Sequence, residues 1–99
     1  MLANLPIDEA SIADFCQRHH LRRLAFFGSV LRDDFTENSD VDVLVEYSPE
    51  HVPGFIALAG MEEELSAILG RKADIRSAAD LSRYFRDEVI REAQVQYVA

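Results

Sequence analysis

The segment Phe27-Gly28-Ser29-Val30-Leu31-Arg32-Asp33-Asp34-Phe35-Thr36-Glu37-Asn38-Ser39-Asp40-Val41-Asp42-Val43-Leu44-Val45 decides how the rest of the chain is read. A short apolar run ends in the pair Gly28-Ser29, and after a ten-residue spacer Asp40-x-Asp42 opens a second apolar run. Side chains of a strand alternate in direction, so Asp40 and Asp42 share one face while Val41, Val43 and Val45 share the other. Two neighbouring carboxylates repel each other and weaken the strand that carries them. A divalent cation removes that penalty, since Mg²⁺ takes hard oxygen ligands from one or two carboxylates together with substrate phosphates.

The glycine and serine supply the other half of such a site. Gly28 allows the backbone to approach a ligand closely. Ser29, just before a helical turn, is expected to cap it, and the free N–H groups there attract phosphate oxygens. Together the two halves read as a triphosphate cradle facing a metal pair. Neither half is specific alone: Gly-Ser is common, and Asp-x-Asp is also an ordinary surface pattern.

Outward from this segment, residues 21 to 27 are predicted as a strand, with an apolar run as in a strand covered on both faces. Residues 29 to 32 should form the helical turn, 33 to 39 a polar surface loop, and 41 to 46 a valine-rich strand. Upstream, residues 8 to 19 read as a helix with Asp8 as its N-cap and Ile12, Phe15 and Cys16 on one apolar face. His19 and His20 follow at its C-terminal end, where imidazoles complement the helix dipole. Their other reading, as metal ligands, has no neighbouring Cys or Asp to support it.

Downstream, residues 47 to 53 hold two prolines and read as a connection. Residues 54 to 69 are predicted as a helix with Phe55, Leu58, Met61, Leu65, Ile68 and Leu69 as its apolar stripe and Glu62, Glu63 and Glu64 as a solvated face. Gly60 inside that helix costs about 1 kcal/mol against alanine, which suggests close packing there. Gly70 is placed to end it. Residues 71 to 76 form a short third strand with Lys72, Asp74 and Arg76 on one face. The stretch 77 to 99 reads as mostly helical, from Leu81, Phe85, Val89 and Ala93 at four-residue spacing. The pattern gives one domain over residues 1–99 of the α/β or α+β class, a short mixed sheet with helices packed against it.

With 99 residues, 48% of them apolar, the chain suits one globular core. A net charge of −8 from 18 acidic and 10 basic residues argues against long DNA or RNA as a ligand. It leaves room for a nucleotide that brings its own cations, and for a basic protein partner. No apolar run approaches the roughly 20 residues of a membrane span. No signal peptide is visible, and the single Cys16 excludes an internal disulfide, so a soluble cytoplasmic protein is expected.

Asp74 is the third carboxylate. If its strand lies beside residues 41 to 46, it faces the same cleft as Asp40 and Asp42, and three carboxylates suit two divalent cations about 3.5–4 Å apart for nucleotidyl transfer. Gly28-Ser29, the spacer, Asp40-x-Asp42 and Asp74 in Lys-Ala-Asp-Ile resemble the signature of the DNA polymerase β-like nucleotidyltransferases, and the short chain resembles their minimal members. The resemblance spans roughly residues 21 to 92.

It implies a small nucleotidyltransferase fold, with Asp40, Asp42 and Asp74 as catalytic metal ligands for two Mg²⁺ ions, and Gly28 and Ser29 on the phosphates of ATP. Arg32 matches the arginine that follows the serine in minimal members and is assigned to the triphosphate, since a guanidinium grips phosphate oxygens in a fork. Its other reading is a surface pair with Asp34 or Glu37. Where the family commonly has a glycine after this arginine, the chain has Arg32-Asp33-Asp34, which leaves the loop shape open.

Many minimal members are antitoxins that transfer AMP from ATP to a tyrosine of a HEPN-domain toxin, so the resemblance implies that activity and that partner. Nothing obvious in so short a chain remains to grip a primer, so the acceptor is expected to be supplied by another subunit or protein. Two other readings stay open. One is an antitoxin that only masks its toxin; the other is the catalytic subunit of a small-molecule, antibiotic-type nucleotidyltransferase. Val95, Tyr97 and Val98 suit either a homo- or hetero-oligomer interface or a tail packed on the core.

Overall fold

The computed structural model describes Leu5, residues 7–32, residues 35 and 36, and residues 38–99. Helix α1 (Glu9–Arg18) begins where the Asp8 carboxylate accepts the backbone N–H groups of Ala10 and Ser11 at 3.1 and 3.3 Å. Its buried residues are Ile12, Phe15 and Cys16, the three that recur at helical spacing. His20, with φ of 57°, turns the chain sharply into strand β1 (Leu21–Phe27). A 3₁₀ turn over Gly28–Leu31 leads toward strand β2 (Val41–Tyr47).

Helix α2 (Phe55–Leu69) then carries the chain back, so that strand β3 (Ala73–Arg76) can run parallel to β2. Gly70, with φ of 70°, makes the left-handed turn that closes α2. The sheet order is β3-β2-β1-β4, with β1 antiparallel to both its neighbours. The core lies between the sheet and the helices α1 and α2. Val41, Val43 and Val45 of β2 meet Phe26 and Leu24 of β1, and Phe15, Met61 and Leu65 of the helices, all buried.

The α+β architecture with a mixed sheet is therefore the expected one. The C-terminal region is not. Instead of a helix through residues 77–99, a 3₁₀ turn at Ala78–Asp80 precedes a seven-residue helix α3 (Arg86–Glu92) and a fourth strand β4 (Gln94–Val98). Asp80 helps set that break, its carboxylate accepting both the N–H and the hydroxyl of Ser77 at 2.9 and 3.1 Å. The four-residue spacing misleads because α3 buries none of its residues. The segment gains burial instead by pairing with β1, which packs Tyr97 against the core. Val95 and Val98 remain about half exposed on this strand, which is thus neither a loose tail nor fully covered.

Helix α2 also departs from expectation. Phe55 is 93% exposed rather than part of the apolar stripe, because contact with the core starts only at Leu58 and Met61. Open space surrounds Gly60, so no close packing demands it. Of the three glutamates, only Glu63 is a solvated residue. Glu62 Oε2 accepts the Ile75 N–H at 2.8 Å, and Ser66 Oγ accepts that of Ala73 at 2.8 Å. These side chains satisfy donors on the outer edge of β3, which would otherwise be open to another strand. Glu64 reaches the other way and binds Arg18 and His19 of α1.

Candidate active site

The strand register brings the site together. Asp42 is the partner of Asp74 across the parallel β2–β3 pair and of Phe27 across the antiparallel β1–β2 pair. One residue past Phe27, Gly28 has φ of 74°, a left-handed conformation that favours glycine. A Cβ on Gly28 would overlap Asp42 Oδ2. The glycine backbone and the carboxylate are therefore in direct contact, and only a hydrogen side chain permits it.

Ser29 lies inside the 3₁₀ turn, and the N-cap position falls on Phe27, so Ser29 does not cap the turn as expected. Its hydroxyl donates instead to the Asp40 carbonyl at 3.4 Å, and its backbone N–H donates to the Asp42 carboxylate. Gly28-Ser29 and Asp40-x-Asp42 are thus fastened to each other across the end of β1 and the start of β2. Arg32 follows directly after the turn and is exposed at the surface. Asp33, Asp34 and Glu37, the acids that frame its loop, lie outside the described residues.

Burial and the neighbouring charges of Asp74 and Asp40 push the Asp42 carboxyl above the usual carboxylate range, against the opposing pull of the Ser29 N–H and Arg76. Asp74 is held by Arg76, Nη2 to Oδ2 at 3.0 Å, and Asp40 lies 3.9 Å from the Lys72 ammonium. Both cations come from the β3 face that carries Asp74, as the alternation Lys72-Asp74-Arg76 anticipates. Their role as escorts of the acids was not read from the sequence.

Asp42 and Asp74 are brought together; Asp40 stands beside them, half exposed and turned toward Lys72. Among the described residues, no three His, Cys, Asp or Glu side chains form a ready-made metal site. The pair Asp42–Asp74 still fits a hard divalent cation. Its donors are carboxylate oxygens, and the repulsion from Asp74 that adds to burial in raising Asp42 is what a cation would relieve.

A mixed α+β sheet with paired aspartates at the start of adjacent parallel strands, packed against a Gly-Ser turn, defines a nucleotidyltransferase-type domain. The chain matches the nucleotidyltransferase domain family over residues 10–97 and belongs to it. It is 34% identical over 76 residues to the protein adenylyltransferase MntA of Thermococcus cleftensis, across 77% of this chain and 75% of that protein. A solved structure of a candidate minimal nucleotidyltransferase superposes with a TM-score of 0.70 at 33% identity, covering 86% of this chain and 85% of its own. The fold alone is shared, at 19% identity and a TM-score of 0.74, with a chain of a toxin–antitoxin crystal structure containing AMP-PNP; the match covers 94% of this chain and 75% of that one. Among the described residues no helix is long and apolar enough to cross a membrane.

Proposed function

We propose that this chain is an Mg²⁺-dependent protein adenylyltransferase and serves as the antitoxin of a HEPN-type toxin, transferring AMP from ATP to that partner. The observation that carries the reading is the register of Asp42 with Asp74, closed on its third side by Gly28. The kinship to a protein adenylyltransferase and the fold shared with a toxin–antitoxin chain support the choice of acceptor.

In this reading Asp40, Asp42 and Asp74 would hold the metal ions, with the exposed contact of Asp40 to Lys72 given up at little cost. Bound Mg²⁺ would neutralise phosphate charge and activate the attacking oxygen. The backbone of Gly28 and Ser29, with Arg32, binds the β- and γ-phosphates. A hydroxyl of the acceptor forms the new bond to the α-phosphorus, the bond from that phosphorus to the bridging oxygen breaks, and pyrophosphate leaves. Asp74, oriented by Arg76, takes the hydroxyl proton.

The test incubates the chain with Mg²⁺-ATP and a HEPN-domain protein as the proposed partner, and weighs that partner by intact mass spectrometry. An AMP adduct with the wild type and none with Asp40→Asn or Asp42→Asn is the expected result. A partner that is bound and silenced but unmodified would show neutralisation by masking, and the transferase reading would fall.

A further inference from the structure

We propose that the cleft beyond Gly28 is the nucleoside subsite of the nucleotide, with Phe85 as the platform on which adenine stacks and Gln94 as the reader of its edge. The inference rests on the nucleotide-transfer reading above and adds what that reading leaves blank, the residues that hold the base.

The cleft has a volume of about 550 Å³ and opens between the end of β1, the 3₁₀ turn and α3. That is within the usual range of about 300–1,000 Å³ for small-molecule sites. It begins at Gly28, whose backbone touches the Asp42 carboxylate, so a ligand filling it lies beside the transfer site. Phe27, Leu31 and Val89 give it apolar walls. Phe85 stands at its side, 50% exposed, a large aromatic surface that the core does not use.

Charge fixes which end of a nucleotide enters. Arg32 lines the cleft near the Gly28-Ser29 turn, whereas Glu88 and Glu92 line it from α3. Without a bridging cation these two carboxylates repel a triphosphate but accept hydrogen bonds from an uncharged ligand rich in N–H and O–H donors. A nucleoside is such a ligand, and acidic side chains hold ribose hydroxyls in other nucleotide sites. The phosphates are thereby directed to the turn and the nucleoside to α3.

Gln94, the first residue of β4, completes the lining. A glutamine amide both donates and accepts, and it matches the N6 donor and N7 acceptor of adenine in a bidentate pair. Uracil offers an equivalent pair in its N3 donor and O4 acceptor, so the amide orients a base rather than choosing between bases. Phe85 adds stacking, which any base can use, so Phe85 governs affinity and Gln94 sets how the stacked base lies.

The test is calorimetric titration of the full chain in Mg²⁺ buffer with AMP-PNP, UTP and inorganic tripolyphosphate, beside thermal melts of each variant. The wild type is expected to bind AMP-PNP more tightly than tripolyphosphate. Phe85→Ala should weaken AMP-PNP by about tenfold or more and leave tripolyphosphate unchanged, with Phe85→Tyr restoring the affinity. Gln94→Ala should weaken AMP-PNP and UTP alike and leave tripolyphosphate unchanged, and a Gln94→Ala that binds both nucleotides as the wild type does would deny Gln94 a base contact. The subsite is overturned if Phe85→Ala binds AMP-PNP as the wild type does, or if it loses tripolyphosphate in parallel. A wild type that binds tripolyphosphate and AMP-PNP equally also overturns it, while leaving the transferase reading intact. Binding of neither ligand removes both readings together.

Discussion

Glu64 and Asp42 are acids of one strongly acidic chain, and their surroundings treat that charge in opposite ways. Glu64 sits between Arg18 and His19, which with their hydrogen bonds hold its carboxyl below the usual range and join α2 to α1. Asp42 sits against Asp74 and near Asp40, partly buried, and its carboxyl is pushed upward. At Glu64 the molecule supplies its own counter-charge, and the result is structure. At Asp42 the compensation is incomplete, and the result is a carboxylate whose charge the proposed metal ion would relieve.

The sharpest way to break this comparison is Asp42→Asn. Losing even a group that only supports a metal ligand commonly costs 10–100-fold in activity, so AMP transfer should fall by at least about a hundredfold. The melting midpoint should rise at the same time, because the amide removes repulsion from Asp74 and Asp40. A variant that is inactive and also less stable than the wild type would show that Asp42 is not held at a cost.

Two glycines sharpen the same contrast. Gly28→Ala forces a Cβ into the Asp42 carboxylate at a left-handed φ, and should destabilise by more than about 1 kcal/mol while disturbing the site. Gly60→Ala meets nothing, and should stabilise by roughly 0.5–1 kcal/mol with activity unchanged. Urea denaturation of the two variants in parallel measures both. Equal effects at the two positions would mean that the tight contact at Gly28 is unimportant.

The smallest effect concerns pH. Because the folded-state value of Glu64 lies below its ordinary 4.5, its stabilisation is present above pH 4.5 and is lost as pH falls through the lowered folded value. Thermal melts between neutral and acidic pH should therefore show a steeper decline for the wild type than for Glu64→Gln. Parallel curves would deny Glu64 its structural role.

Local pattern was enough to read the start of α1 at Asp8, the strands β1 and β2, and the neighbourhood of Asp42 and Asp74, since alternation and the length of α2 constrain them. What escaped was decided by distant contacts. β4 looks helical until β1 offers an edge to pair with. Glu62 looks solvated until the N–H of Ile75 arrives from a strand thirteen residues on. Phe55 and Gly60 fit a helical stripe by spacing, yet whether each meets the sheet depends on how far α2 projects beyond it. The cation escorts Arg76 and Lys72 were visible as a face but not as partners, because pairing needs the third dimension.

Cys16 carries one more consequence. It is the sole cysteine of the chain, fully buried on the inner face of α1, and desolvation pushes its thiol up to about 12. A thiol in that state is inert toward alkylating reagents while the helix stays docked. Its labelling rate is therefore a clock for the undocking of α1, readable by mass on the unmodified protein. Any ligand that tightens the sheet should slow that clock, so one natural atom reports how firmly the fold is closed.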